Sequence, residues 1–369
     1  MYDLPISDQR LLAIREKVRA GRRLGPEDGM LLYESRDLIG KARIADEVRK
    51  RRHGRKAYFV YNQHINYTNV CINHCRFCAF SKQEGSNGAF TLALDHIRDR
   101  VTERLGEPIR ELHVVGGINP ALPFSYYLSL VRTIKELRPL ATIKAFTAVE
   151  INHFSKISGL SIEKVIRELQ AAGLGMMPGG GAEVMNERIH QALFPKKISW
   201  EKWIEVVETA HGCGLSSNAT MLYGHIETIA ERVAHLIRLR DLQDRTGGFS
   251  AFIPLAFHSK NTELAHLPAT TAFDDLSNIV AARLLLNNFD HIKAYWVMIG
   301  EKLAQIALSF GADDLDGTII EEKITHMAGA TSAKGLSSDH MRALIADAGF
   351  IPVERDSFYR PVDGLEEAG

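Results

Sequence analysis

Residues 57–82 read AYFVYNQHINYTNVCINHCRFCAFSK. The stretch opens on an apolar, aromatic-rich run, AYFVYNQ (57–63), with the texture of a buried strand. It closes on Cys71-x3-Cys75-x2-Cys78, three thiols within one octet. A strand that runs directly into a polar loop of metal-ligand residues is the start of a parallel α/β unit with chemistry at the strand end. The rest of the chain repeats that unit.

Downstream, short apolar runs alternate with amphipathic stretches of a dozen or more residues. The strand candidates after the first are ELHVVGG (111–117), TIKAFTAVE (142–150), LGMMPGGG (174–181), SNATMLYG (217–224), SAFIPLAF (250–257), IKAYWVMIG (292–300) and, weakly, DLDGTII (314–320). Helices are expected between them. The clearest spans 228–244, with Ile229, Val233, Leu236, Ile237 and Leu242 on one face. Another starts at the N-cap Ser161, and a third carries Leu276, Ile279, Val280, Leu284 and Leu285. About eight alternations without a long linker predict an α/β fold, a (βα)8 TIM-type barrel over 57–330. An open doubly wound sheet is the rival, but no Gly-rich dinucleotide turn follows the first strand. Residues 1–56 read as an N-terminal helical segment, and residues 331–369, with Met341, Leu344 and Ile345, as a C-terminal helical closure. The basic run Arg49–His53 reads as a solvated helix end.

Composition excludes several classes. The 369 residues are 45% hydrophobic and 24% charged, with 29 Gly and 12 Pro, which is ordinary globular usage. Lys+Arg and Asp+Glu stand at 45 each, so no global field favours a polyanion, and neither nucleic acid nor membrane is an expected partner. The first ten residues, MYDLPISDQR, lack the apolar core of a secretory leader, and a cytoplasmic location is expected.

The polar residues gather just after the strands: His64 to Asn69, Gly116 to Pro120, Glu150, Gly179 to Glu183, Gly224 to Glu227, and His258 to Asn261. In a barrel these share one mouth. Three thiols there point to a metal. Structural zinc takes four ligands, usually in two separated pairs, and here would need His74 or the distant Cys213. A cubane iron–sulfur cluster with three cysteines and one open iron fits the spacing better. The Pro178-Gly179-Gly180-Gly181 turn has no following Lys-Ser/Thr, so it is no P-loop. It is either an anion cradle of backbone amides or a tight turn. Cys213, between Gly212 and Gly214, reads as a small buried apolar residue.

The Cys71, Cys75, Phe77, Cys78 pattern after a first barrel strand resembles the radical S-adenosylmethionine (SAM) enzymes. HINYTNVCINHCRFCAFSK, VVGGINPALPFSYY, IKAFTAVEI, MPGGGAE, NATMLYGHIET, LQDRTGGFSAFIPLAFHSKNT and GADDLDGTIIEEKITHMAGA resemble the menaquinone-pathway (futalosine) group of that superfamily, from residue 57 to about 331. That group includes the aminofutalosine synthases and the dehypoxanthine futalosine cyclases, with the deazaflavin (FO) synthases as cousins. Leu255 and His258 stand where the cyclases tend to carry Trp and Gln, so the resemblance leans to the synthases.

The resemblance implies one [4Fe-4S] cluster on Cys71, Cys75 and Cys78, with SAM as a co-substrate on its open iron. It implies SAM contacts at Phe77, Gly116, Gly117, Glu150, Gly224 and Glu227, although Ile118 replaces the usual glutamate after the Gly pair. Glu150 either bonds the ribose, with a catalytic role, or caps the next turn. The implied reaction adds the 5′-deoxyadenosyl radical to 3-[(1-carboxyvinyl)oxy]benzoate. Rearrangement and decarboxylation then give 6-amino-6-deoxyfutalosine and methionine. Two substrate carboxylates need cationic or amide partners. His258, also a catalytic candidate, Arg283 and the Gly179, Gly180 and Gly181 amides are the expected ones. An electron donor such as flavodoxin or ferredoxin is implied as partner. A non-enzymatic iron–sulfur redox protein is the distant rival, and it offers no reason for a polar barrel mouth.

Overall fold

The computed structural model describes residues 6–362. Ten strands lie in it: β1 (Lys56–Val60), β2 (Asn62–Ile65), β3 (Glu111–Val114), β4 (Thr142–Ala145), β5 (Leu174–Met176), β6 (Ser217–Tyr223), β7 (Phe249–Ala256), β8 (His291–Ile292), β9 (Asp314–Gly317) and β10 (Ile351–Arg355). All pairings between them are parallel, in three arcs: β2-β3-β4-β5, β6-β7-β8 and β10-β1-β9. Parallel bridges join the arcs at Met177–Ser217, Lys293–Asp314 and Gln63–Ile320. The ring is therefore closed, with β1 and β2 as one stave kinked at Tyr61. It is the TIM-type barrel, with helices on its outside.

Two expected strands turn into helix partway. In 142–150 the strand stops at Ala145, and Thr147 starts the helix Ala148–Ser158. The Thr147 hydroxyl and Glu150 carboxylate cap each other's backbone amides, a capping box spelled in the sequence as T-x-x-E. In 292–300 the strand ends at Ile292, and Trp296–Ile299 is a helical turn. Pro254 is tolerated in β7 because β8 pairs only with Ala251 and Phe252.

Two further expectations are corrected. The basic run is a solvated helix end only in part: Lys50, Arg51 and Arg52 are exposed. Arg49 is fully buried and donates to the Gly54 and Lys56 carbonyls, and Arg52 pairs with Asp290. The end of helix Leu38–His53 thus packs against the start of the barrel staves, with His53 against Tyr58 and His291. The C-terminal segment is more than a helical closure. After the helix Ser338–Asp347 comes β10, in register with β1 from Lys56–Ile351 to Val60–Arg355. The alternation in Ile351-Pro352-Val353 is that of an edge strand, where Pro costs no ladder bond. Arg355 then pairs with Asp314 at 2.6 Å beneath the barrel floor. No described helix is long and apolar enough to cross a membrane.

Candidate active site

A cavity of about 330 Å³ opens at the C-terminal ends of the strands. Cys71, Cys75 and Cys78 line it, all free of disulfides, on the loop that follows β2. His74 takes the left-handed conformation, φ +45°, and turns the chain between the first two cysteines. Burial pushes the Cys75 thiol up to about 12 and raises Cys78 as well, so these side chains need a cation to be held as thiolates. One cation faces them. Burial works against the Lys197 ammonium, but Glu183 and the two thiols outweigh it and raise the group above its usual range. Lys197 pairs with Glu183, and its Nζ lies 5.5 Å from the centre of the Phe77 ring.

Gly116 and Gly117 press β3 against the cysteine loop. A Cβ on Gly117 would stand 2.2 Å from the Val70 carbonyl oxygen and 2.9 Å from Cys71 Cβ. One on Gly116 would stand 2.6 Å from the Tyr67 ring. Three thiols on one turn, open to a cavity and backed by a surface only glycine permits, form a cradle that fits a cysteine-held cluster. Phe77 walls it, edge-on to Phe194.

Glu150 borders the cavity, but its four acceptor positions are spent. Oε1 accepts from Tyr67 Oη at 2.6 Å and Gly116 N at 3.3 Å; Oε2 accepts from Thr147 N at 2.7 Å and Thr147 Oγ1 at 2.8 Å. Burial nonetheless raises its carboxyl above the usual range. Of the two roles read for Glu150, the structure supplies the cap. It is a positioning residue that ties the Gly116 turn to a helix start.

The Gly-rich turn lines the cavity with all three glycines. Gly179 needs its missing Cβ, which would meet the Asn218 backbone at 2.7 Å, and Gly181 has φ +120°. None of the three amides donates to another backbone group among the described residues, which leaves them free for an anion.

Four expected site residues do not border the cavity. Glu227 is fully buried, accepting from Gly224 N at 2.6 Å and His225 N at 2.9 Å, and Arg232 bridges it to Asp274. Burial would raise Glu227, but His225, Arg232 and the Gly224 amide outweigh it and hold the carboxyl down at about 2. Gly224 and Glu227 shape the turn after β6, off the wall of the cavity where they were expected to meet SAM. His258 donates its Nε2–H to the Met298 carbonyl at 2.9 Å and so braces Met298, which lines the cavity. Leu255, the other residue of the synthase-like string, does face the cavity.

Arg283 is the clearest correction. It is 1% exposed, donates to the Gly311 and Asp290 carbonyls, and pairs with Asp313 just before β9, at the opposite end of the barrel. Its helix, Ala272–Leu285, runs antiparallel to the strands, so a C-terminal position lies at the barrel bottom. Arg283→Met should cost ~3–5 kcal/mol of stability in urea unfolding, because Asp313 is left buried and uncompensated. Substrate affinity of the folded fraction should not change. Loss of affinity at full stability would return Arg283 to the site.

Beside His64, already read at a strand end, the sequence reading missed a set of polar groups below the mouth: His113, Lys144, Asn218, Tyr295 and Asp316, all on the cavity wall. Most sit on alternate, inward positions of strands. The polar alternation of Asn62-x-His64 and Glu111-x-His113 was the available signal.

A closed barrel with three thiols on the loop after its first stave defines a radical SAM enzyme. Residues 65–239 match the Radical SAM superfamily, and residues 246–367 match the CofH/MqnC C-terminal region. The chain is 48% identical over 361 residues to the aminodeoxyfutalosine synthase of Thermus thermophilus, covering 97% of each chain. It is 37% identical to the cyclic dehypoxanthine futalosine synthase of Streptomyces coelicolor, over 95% of this chain and 88% of that one. The crystal structure of methylornithine synthase superposes with a TM-score of 0.74 at 17% identity, covering 92% of this chain and 97% of that one, a likeness of fold. The chain belongs to the family of radical SAM enzymes that contains the aminodeoxyfutalosine synthases.

Proposed function

We propose that this protein is an aminodeoxyfutalosine synthase: it joins the 5′-deoxyadenosyl group of SAM to 3-[(1-carboxyvinyl)oxy]benzoate in menaquinone biosynthesis. The observation that carries the reading is the cavity itself, with three free thiols at its mouth and polar side chains deeper in, in a chain 48% identical to such a synthase along its length. When bound, a [4Fe-4S] cluster and SAM supply one electron and the adenosyl radical. The protein supplies the rest. Cys71, Cys75 and Cys78 would hold the cluster, three thiols for a group that also has to take SAM. The backbone of Gly116 and Gly117 lines the SAM end, with both amides already spent on Glu150 and the Thr68 carbonyl. Lys197 balances thiolate charge. Ile118, Val149, Ile253, Leu255 and Met298 wall the centre with hydrocarbon and exclude water from the reacting carbon. A flavodoxin or ferredoxin would prime the cluster, and the reading places the enzyme in the cytoplasm.

The related cyclase reading shares cluster, barrel and SAM, so SAM cleavage alone does not separate the two. The fate of the adenosyl carbon does. With SAM labelled in its ribose, label should appear in a product that holds both adenine and a benzoate, with 5′-deoxyadenosine a minor by-product. Stoichiometric labelled 5′-deoxyadenosine, formed only with dehypoxanthine futalosine, would establish the cyclase instead.

A further inference from the structure

His64 on β2 is the register partner of His113 on β3, and His113 that of Lys144 on β4. The three therefore form one row across adjacent strands, one residue below the strand ends, and all three line the cavity. The imidazoles stack with centroids 4.6 Å apart and planes 22° from parallel. His64 is only 8% exposed, and that remnant opens into the cavity.

The inward polar groups around the row are spoken for. Lys144 pairs with Glu111 at 2.5 Å, Lys293 with Asp316 at 3.2 Å, and Arg355 with Asp314. Asn62 is taken by Glu111 and the Ile319 amide, and Thr220 by the Gly179 carbonyl. The two imidazoles differ. Among the described residues neither ring nitrogen of His64 or His113 has a hydrogen-bond partner. Two unpartnered imidazoles open to the cavity, beside the Lys144 ammonium, offer N–H donors to a ligand carboxylate.

We propose that His64 and His113, with Lys144, form the seat of the benzoate-ring carboxylate of the substrate. The inference rests on the synthase reading above and assigns one end of that site. The vinyl carbon must face the cysteine end, where the adenosyl group arrives, and the enol carboxylate is attached to that same end. The ring carboxylate, on the far side of the ether, points to the floor. The chemistry agrees. The enol carboxylate is expelled, and a seat that gripped it would stabilise the ground state against its loss. The ring carboxylate persists into product, so it can be held throughout. Burial keeps both imidazoles below their usual range, His113 well below it with His64 and Lys144 adding to the effect. Each neutral ring then offers one N–H, and no further fixed charge enters the floor.

The test uses cluster-reconstituted protein with SAM and no reductant, so that binding is read without turnover. Calorimetry compares 3-[(1-carboxyvinyl)oxy]benzoate with 2-phenoxyacrylate, which lacks the ring carboxylate. Wild type should bind the first about 30-fold more tightly, the scale of charge-assisted bonds. His64→Ala and His113→Ala should each lower that ratio about tenfold and leave 2-phenoxyacrylate binding within about threefold. His113→Asn, which keeps an N–H donor, should retain part of the ratio. If wild type discriminates and folded, iron-loaded His113→Ala and His113→Asn do so equally, the seat lies elsewhere and this assignment falls alone. If wild type binds neither compound, the synthase reading falls and takes the seat with it.

Discussion

Cys71→Ala, Cys75→Ala and Cys78→Ala each lower turnover at least ~10³-fold and lose iron, while Cys213→Ala keeps both. The size follows from interdependence: removing one member of a unit that works only as a whole costs nearly as much as removing all. The three thiols sit on one turn at the cavity mouth. Cys213 closes the helix Trp200–Gly212 ahead of β6, so it belongs to the opposite end of the barrel. It is half-buried, not fully buried as its glycine flanks suggested. Iron analysis and the absorbance of anaerobically reconstituted protein check the result alongside turnover. Full iron and full activity in Cys75→Ala would remove the radical SAM reading of the site.

The next largest effect comes from a single methyl group. Gly117→Ala should lower activity about 100-fold, the scale expected when reacting groups shift by about 1 Å. The new Cβ would fall 2.2 Å from the Val70 carbonyl oxygen, inside any permitted contact, and 2.9 Å from Cys71 Cβ. Neither neighbour is a flexible side-chain tip, so the strand or the cysteine loop must move. Gly117 N also donates to the Thr68 carbonyl at 2.9 Å, and Ile72 N to the Ile118 carbonyl at 3.1 Å, so the two segments move as one. Gly106→Ala, where a Cβ meets nothing within 4 Å, serves as the control and should leave iron content and rate unchanged. Native iron stoichiometry with native turnover in Gly117→Ala would show that the loop yields without cost.

These two experiments act on residues that could be read from the chain alone, because their geometry is local. Cys71, Cys75 and Cys78 lie within one octet, and three thiols that close in sequence are close in any fold. The Gly116-Gly117 pair ends a strand, and a strand end in a parallel barrel lies at the mouth. The alternation of strand and helix sufficed for the closed ring, since each crossover must return to the same side of the sheet. Even the fate of Glu150 was spelled locally, in Thr147-x-x-Glu150, although a strand was drawn through it.

What the chain alone did not decide is which distant residues meet and which way they face. Arg283 and Asp313 are thirty residues apart and pair beneath the barrel, so an arginine that looked available for substrate is spent on the fold. Glu227 and His258 lie after the right strands yet turn to Arg232 and to the Met298 carbonyl. His64, His113 and Lys144 carry no motif. They become a row only when three strands take one register and their period of two points the same way, inward. Side-chain direction and cross-strand register are properties of the closed sheet, so the floor of the site was decided by tertiary structure, and its mouth by sequence.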